Sequence, residues 1–317
     1  MKEKRTSAPY AHQAPGRKKA RRKKGRGGHV LIFFVTLVLC LVLFGLLGFF
    51  LLRDQLFPGE DISSDTAAAT SQTDAPEPFN LLVVQSADED NLPRFWMLRF
   101  QADPASVAVS ALPAETMVES DGRRDRLSGF LAYGGLEAVS RAVADLGGVS
   151  VDRTACVTPD QLEGIVDQFG GLIYAVPQDL EQYDAEGNLQ VRLPGGRQSL
   201  TGDQVRQLFL YNQWDGGRER EIAVQQEAVA AFCNQCLSAA SLRQAEDNYL
   251  YFANHSETTL SRADFDTWLP WFQKMAGASP AGTRQAQGSY GEENGQETFI
   301  MSDSQRAEWG RSFGAGA

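Results

Sequence analysis

The chain has 317 residues, with 40 acidic and 30 basic side chains, a net charge of −10 at pH 7 and 43% hydrophobic residues. Eleven of the basic residues and one acidic residue lie before residue 30, so 19 basic and 39 acidic residues remain beyond it. The length suffices for one well-buried domain with additional segments. The chain thus joins a basic N-terminal part to an acidic remainder, and we expect no nucleic-acid partner.

Residues 30–52, VLIFFVTLVLCLVLFGLLGFFLL, contain no charged side chain. At about 1.5 Å per residue, this stretch can cross a hydrocarbon core of roughly 30 Å as a helix. A signal-peptide core is shorter, roughly 7–15 residues, and precedes a small-residue cleavage site, whereas Arg53-Asp54-Gln55 follows here. A buried core helix seldom runs this far without a polar face. The stretch therefore predicts a retained transmembrane helix.

The basic arm, residues 1–29, fixes the expected orientation of this helix. Lysine and arginine beside a span remain in the cytoplasm, so the C-terminal part is predicted to lie outside the cell membrane. A basic cluster is also typical of nucleic-acid-binding arms. Beside a span, its simpler role is to set topology and to contact anionic lipid head groups. The sequence thus predicts a single-pass cell-membrane protein with a cytoplasmic N-terminus.

Residues 53–78 are small, polar and rich in proline, which predicts a disordered linker. Beyond it, short apolar runs alternate with segments of helical periodicity. The predicted strands are 79–84, 95–101, 107–112, 154–157, 172–176, 189–193, 249–252 and 297–301. The predicted helices are 136–146, 158–169, 201–211, 221–237, 261–275 and 302–313. Residues 277–295 are interpreted as a loop of low complexity.

Two helix starts are well marked, because Thr158 and Thr201 each precede a glutamine by three residues, the pattern of a capping box. The alternation of elements predicts an α/β fold, an α+β sandwich in which helices flank a central mixed sheet.

The cysteines beyond the predicted span are Cys156, Cys233 and Cys236. With one histidine in this region, His255, their spacing does not fit a zinc site. The CxxC formed by Cys233 and Cys236 falls late in a predicted helix, whereas a redox pair is activated at a helix N-terminus. One disulfide that includes Cys156 remains open, and the odd count leaves at least one thiol over.

Common catalytic motifs are absent from the sequence, including nucleotide-binding glycine loops, HExxH and GxSxG. Several segments nevertheless resemble, in order, motifs of the LytR-CpsA-Psr family. They are 80–84 (the opening strand), 111–116 ("IPRDT"), 126–135 ("KINAAYAYGG"), 165–172 ("LVDALGGV"), 200–204 ("L-x-G-x-Q-A-L") and 225–226 ("R-Q-Q"). The resemblance implies an extracytoplasmic family domain at 79–240. Residues 241–317 are then a C-terminal extension, with a strand and helix packed on the domain and a flexible end.

Members of that family transfer a glycopolymer phosphate from a polyprenyl-pyrophosphate carrier to peptidoglycan. The resemblance therefore implies a polyprenyl-linked glycopolymer or peptidoglycan as partner. Such a site needs several guanidinium groups for the pyrophosphate, a carboxylate-held cation such as Mg²⁺ and an apolar slot for the lipid.

This chain departs from the family pattern at the charged positions. The arginine and aspartate of "IPRDT" are replaced by Ala114 and Glu115, a metal-binding aspartate by Arg94, and the arginine of "R-Q-Q" by Val224; the family's "R-x-R" falls on or near Leu210 and Asn212. Losing one charged hydrogen bond costs about 1.5–3 kcal/mol. We therefore expect catalysis to be impaired or absent, although whether the chain is an enzyme stays open at this point.

Three interpretations of the remaining charges are open. The candidate substrate-binding residues are Arg94, Arg126, Asp215, Arg218 and Arg220, and the four arginines among them could form a rebuilt phosphate site. Asp88 and Asp90 follow the first strand and are weak candidates for a metal. The simplest alternative is that all of these are solvated loop charges.

Three functions follow from these interpretations. The first is a family enzyme with altered residues. The second is a non-catalytic protein that binds an envelope glycan or its lipid-linked precursor. The third is an unrelated membrane-anchored sensor.

Overall fold

The computed structural model describes residues 74–88 and 91–316. The predicted arm, the predicted span and residues 53–73 of the predicted linker lie outside the described residues. Within the described part, no helix is long and apolar enough to cross a membrane.

Fourteen strands and eight helices make up the described part. The strands are β1 Phe79–Gln85, β2 Arg94–Gln101, β3 Ser106–Leu112, β4 Met117–Ser120, β5 Arg123–Arg126, β6 Arg153–Val157, β7 Leu172–Val176, β8 Leu180–Tyr183, β9 Leu189–Leu193, β10 Gly196–Leu200, β11 Glu257–Thr258, β12 Ala281–Thr283, β13 Ser289–Glu293 and β14 Gln296–Ile300. The helices are α1 Leu127–Gly147, α2 Pro159–Gln168, α3 Gly202–Leu210, α4 Gly217–Cys236, α5 Ala239–Leu242, α6 Ala245–Asn254, α7 Arg262–Met275 and α8 Asp303–Ser312.

The central sheet has six strands in the order β11-β6-β1-β2-β3-β12. The pairs β1–β2, β2–β3 and β6–β11 are antiparallel, whereas β1–β6 and β3–β12 are parallel. The predicted α/β fold with a mixed central sheet and helices is therefore confirmed. In the register of β1 and β2, Gln85 is paired with Arg94, so the end of β1 and the start of β2 share one edge of the sheet.

Both faces of this sheet are covered. Successive side chains of a strand point to opposite faces, and in β2 Trp96 and Leu98 join one hydrophobic cluster while Phe95 and Met97 join the other. The first cluster includes residues of α2, α3, α4 and α7. The second includes residues of α1 and α8. Burial on both faces explains why the predicted strands are nearly continuous apolar runs.

The predicted helix starts are confirmed. Thr158 accepts a hydrogen bond from the backbone of Gln161, and Thr201 accepts one from that of Gln204, each with the reciprocal bond of a capping box. Two further capping boxes, at Ser261 and Ser302, begin α7 and α8.

Several predicted elements are wrong or incomplete. Residues 249–252, predicted as a strand, lie within helix α6. The predicted loop 277–295 contains β12 and β13, which pair with β3 and β14. In both regions tertiary contacts override a weak local pattern. The short strands β4, β5, β8 and β10 carry too few residues for a periodicity to be visible.

Candidate functional site

An apolar cavity of about 330 Å³ lies between one face of the central sheet and the helices that cover it. The strands β1 and β2 contribute one wall, and α2, α4, α6 and α7 contribute the others. Its lining residues include Leu81, Val83, Trp96, Leu98, Ile165, Phe169, Val205, Phe209, Val229, Phe232, Phe252, Trp268 and Phe272. The lining is almost entirely apolar, so the cavity is suited to an apolar ligand.

Aromatic rings shape the cavity. Phe79 stacks on Phe100 at 4.9 Å, and the edge of Trp268 contacts Phe79 at 5.0 Å between ring centroids. Phe169 and Phe232 form a second edge-to-face pair at 5.3 Å. Stiff rings in such pairs resist collapse, which explains how a space free of atoms persists within a hydrophobic layer.

Cys233 and Cys236 also line this cavity, and both are free thiols, as is Cys156. Burial raises the pKa of Cys233 to about 12 and raises the pKa of Cys236 well above its usual value. Neutral thiols behave as small apolar groups, so in the described structure the CxxC contributes to the cavity wall. The disulfide left open for Cys156 is not formed.

Arg94 marks one end of the cavity. It begins β2 on the same face as Trp96, and its Nη2 donates a 2.6 Å hydrogen bond to the backbone oxygen of Phe209, a cavity residue. Burial lowers the pKa of Arg94, partly offset by attraction to Glu221, and repulsion from Arg218 lowers it further. The apolar space is therefore adjacent to a half-buried guanidinium at one edge of the sheet.

Arg218, in the first turn of α4, lies between two carboxylates. Its Nη2 is 2.9 Å from Oε1 of the buried Glu115, and its Nη1 forms a close ion pair with Glu221. Glu221 also accepts a 3.1 Å hydrogen bond from Nε2 of Gln225. Burial alone would lower the pKa of Arg218, but Glu221 and Glu115 outweigh it and raise the pKa. The guanidinium is thus already engaged by the protein.

The β13–β14 hairpin lies beside Glu115 and Arg218. The backbone N–H of Phe299 donates to the backbone oxygen of Glu115 at 2.9 Å. The pKa of Tyr290 on β13 is raised, mainly by burial. Arg218 opposes this shift, whereas the nearby carboxylates of Glu115 and Glu221 add to it. Oε2 of Glu115 is buried and has no hydrogen-bonding partner among the described residues.

The engaged cluster, as we call Arg94, Glu115, Arg218 and Glu221, carries two positive and two negative charges. Arg218 pairs with both glutamates, whereas Arg94 donates to the backbone oxygen of Phe209, so the four charges balance and leave no surplus positive charge for an incoming phosphate. A phosphate would have to displace a buried carboxylate, which is costly because the displaced charge would stay buried.

The other predicted residues lie elsewhere. Arg220 pairs with Glu227 at 3.1 Å. Glu227 also accepts a hydrogen bond from the hydroxyl of Tyr174 on β7, so this pair is separate from Arg218 and its glutamates. Asp215 is exposed in the loop before α4, and Arg126, at the end of β5, has a buried Nε without a partner in the described structure. Of the candidate substrate-binding residues, Arg94 and Arg218 lie close enough for their positive charges to repel each other.

One of the two metal candidates, Asp88, lies within the described residues. Asp90 lies outside the described residues, and Asp88 accepts a 2.7 Å hydrogen bond from Asn91 and lies 3.9 Å from Arg206. Within the described ranges, no group of three or more metal-ligating side chains is placed to hold an ion. Because the buried carboxylates of Glu115 and Glu221 are bound to Arg218, this donor set does not fit Mg²⁺.

Two residues of the site were not predicted from the sequence. Glu221 lies one helical turn after Arg218, a spacing that could have indicated the ion pair. Tyr290 carried no signal, because it falls in the segment interpreted as a loop.

A family model, described as the LytR_cpsA_psr family, matches residues 95–308, more than half of the chain. The chain belongs to the LytR-CpsA-Psr family. The resemblance found in the sequence is therefore confirmed, and the match continues through the C-terminal residues 241–308.

Solved structures share this fold at low sequence identity. A protein of Eubacterium siraeum is 16% identical with a TM-score of 0.67, covering 81% of this chain and 100% of that one. Bacillus subtilis TagV is 14% identical with a TM-score of 0.63, covering 75% and 96%. Bacillus subtilis TagT is 16% identical with a TM-score of 0.58, covering 75% and 89%. At these identities the likeness shows the fold.

An uncharacterised protein of Staphylococcus aureus is 25% identical over 123 residues, which is 38% of this chain. The chain matches 30% of the length of that curated relative.

Proposed function

We propose that this protein is a membrane-anchored, extracytoplasmic member of the family that holds a polyprenyl-linked glycopolymer by its lipid and transfers it slowly or not at all. The apolar cavity beside the engaged cluster is the observation that carries this proposal. A polyprenyl tail is a long hydrocarbon, and each buried CH₂ group contributes about 0.8 kcal/mol to its binding.

The engaged cluster supports impaired transfer. Charge development at a leaving phosphate needs donors that are aimed at it and not otherwise occupied. Here Arg218 is bound to two glutamates, and Ala114 and Val224 occupy positions where the family has arginine. The proposed protein therefore binds the carrier mainly through its tail.

The ligand class is supported by a relative of the same fold. TagT structures have been solved bound to LI-WTA and to LIIa-WTA, with TM-scores of 0.58 and 0.56 to this chain. The envelope location rests on the sequence, in which residues 30–52 are apolar and residues 1–29 are basic.

Binding is tested with the full chain in lipid nanodiscs and a fluorescent polyprenyl phosphate. Val229→Trp places a large ring in the cavity and should weaken binding at least about tenfold, since the tail loses its space. Leu250→Trp, at a 44% exposed position of α6, is the matched control and should bind like the wild type. Equal binding by Val229→Trp and the wild type would remove the cavity from the proposed function.

Catalysis is tested separately with a polyprenyl-pyrophosphate glycan, Mg²⁺ and a peptidoglycan acceptor. We expect transfer no faster than in a protein-free sample. Turnover that disappears in Arg218→Ala would instead show a working transferase with altered site residues.

A further inference from the structure

A second concavity, of about 370 Å³, lies between the tip of the β4–β5 hairpin and helix α1. It is bordered by Ser120, Asp121, Arg123, Phe130, Tyr133 and Arg141. The first three belong to the hairpin tip, and the others belong to α1. We call it the hairpin concavity.

Two backbone features shape the hairpin concavity. Asp121 and Gly122 both have positive φ, 52° and 73°, as in the tight turn that closes a two-residue hairpin. In α1, Gly134 and Gly135 leave the helical conformation, with φ and ψ of 62° and −153° at Gly135. The break lies between Tyr133 and Arg141, so these two side chains border the hairpin concavity from separate parts of α1.

An aromatic platform lines one side. Tyr133 is 71% exposed, more than any other large hydrophobic residue recorded as exposed in the described structure. The guanidinium carbon of Arg123 lies 4.5 Å from the ring centre of Tyr133 and 6.0 Å from that of Phe130. Asp125 forms a close ion pair with Arg123 and so holds the guanidinium against the rings. The Tyr133 hydroxyl has no hydrogen-bonding partner among the described residues.

The polar groups of the hairpin concavity are mixed in charge. Arg141 lies 3.1 Å from Asp121 and 3.3 Å from Glu137. Together with the Arg123–Asp125 pair, these groups carry two positive and three negative charges. Such a site disfavours a phosphate or a carboxylate, yet it offers donors and acceptors to hydroxyl groups.

We propose that the hairpin concavity binds an uncharged pyranose unit of a glycan. The Tyr133 ring would pack against the C–H face of the sugar, while Asp121 and Arg141 exchange hydrogen bonds with its hydroxyl groups. The volume falls in the range of roughly 300–1,000 Å³ typical of small-ligand sites.

The position of the hairpin concavity relates it to the proposed function. The β4 strand runs from the residues beside Glu115 to the hairpin tip, about 10 Å at the rise of an extended strand. The apolar cavity lies on one face of the central sheet and the hairpin concavity borders residues that cover the other face, so a glycan whose lipid lies in the cavity would have to pass the engaged cluster to reach Tyr133. This placement rests on the proposed function, whereas sugar binding itself does not.

The test uses the full chain in nanodiscs and saturation-transfer NMR with chitotetraose, a neutral soluble oligosaccharide without lipid. We expect saturable binding that Tyr133→Ala weakens about tenfold and that Tyr133→Phe retains within about twofold, because the ring supplies most of the contact. Tyr183→Ala removes another exposed tyrosine, on β8, and should bind like the wild type. Tetragalacturonate, which is anionic, should bind more weakly than chitotetraose.

Absence of saturable chitotetraose binding, or an equal loss in Tyr133→Ala and Tyr183→Ala, would overturn the proposal. Tighter binding of tetragalacturonate would overturn the predicted preference for a neutral sugar and with it the proposed ligand. The lipid-binding assay on the Val229→Trp variant is independent of these results, so failure of the proposed function would be recognised separately.

Discussion

At the scale of single residues, the charged groups near the cavity are engaged by other groups of the protein. Ala114 and Val224 are 2% and 0% exposed, so both positions now belong to the hydrophobic interior. The arginines that remain near the cavity, Arg94 and Arg218, are bound by a backbone oxygen and by two glutamates. Under the proposed function, pairing within the protein has taken the place of anion binding at these positions.

Glu115→Gln tests this exchange. The substitution keeps the size of the side chain but removes one negative charge from Arg218, so the guanidinium becomes available to a ligand phosphate. We expect polyprenyl phosphate to bind about tenfold more tightly, the scale of one charged hydrogen bond. Glu119→Gln, an exposed glutamate on β4, should leave the affinity unchanged. Weaker binding by Glu115→Gln would contradict the assignment of Glu115 as an internal competitor of the phosphate.

The Arg153–Asp264 pair predicts a pH-dependent contribution to stability. The two hydrogen bonds from Arg153, at 2.9 and 2.6 Å, lower the pKa of Asp264, which also completes the capping box of α7. Because the pKa is lowered in the folded state, the pair stabilises the fold fully above the ordinary aspartate pKa of 3.8, and this contribution is lost as the pH falls from there through the lower pKa of the folded state.

Asp264→Ala should therefore lower the free energy of unfolding by about 1–2 kcal/mol at pH 7, from the lost cap and the lost ion pair. The difference from wild type should shrink as the pH is lowered from about 5 towards 2 in urea unfolding experiments. Asp266→Ala, on the same helix but in an exposed pair with Arg262, should change stability by less than about 0.5 kcal/mol. A pH-independent effect of Asp264→Ala would show that the ion pair contributes nothing.

At the scale of elements, helix α1 depends on an irregularity in its middle. The backbone angles of Gly135 are in a region that side-chain-bearing residues avoid, at a cost of about 1–3 kcal/mol. Gly135→Ala should destabilise the protein by that amount and reduce chitotetraose binding, because the break shapes the hairpin concavity. Gly291→Ala, at a strand position where a Cβ would meet only an ordinary contact at 3.7 Å, should be tolerated. Equal stability of the two variants, measured by thermal unfolding, would contradict this role of Gly135.

Elements with strong local signals were predicted from the sequence. Thr158 and Thr201 each bond to the glutamine three positions later, so a four-residue pattern suffices to mark each helix start. The first half of α1 was missed because its apolar periodicity is interrupted by Ser128, Gly129 and the glycine pair. Strand β13 was missed because its pairing with β14 is a tertiary contact within a sequence that is polar throughout.

At the scale of the whole molecule, the cavity and the engaged cluster differ in how far sequence could reveal them. Most of the apolar lining follows from the predicted strand and helix faces, except the part on α6, where residues 249–252 were predicted as a strand. The ion pair between Glu115 and Arg218 joins residues 103 positions apart, and no local pattern indicates it. A family resemblance identified both positions as part of the site, but only the folded chain shows that one neutralises the other.

The central claim is that the cavity takes a polyprenyl tail while the engaged cluster remains closed to its phosphate. A crystal structure of the protein with polyprenyl phosphate tests it most directly. We predict hydrocarbon density between β1–β2 and the α2, α4 and α7 helices, with Arg218 still bound to Glu115 and Glu221. An empty cavity, or a phosphate held by Arg94 and Arg218 with both glutamates displaced, would contradict the claim.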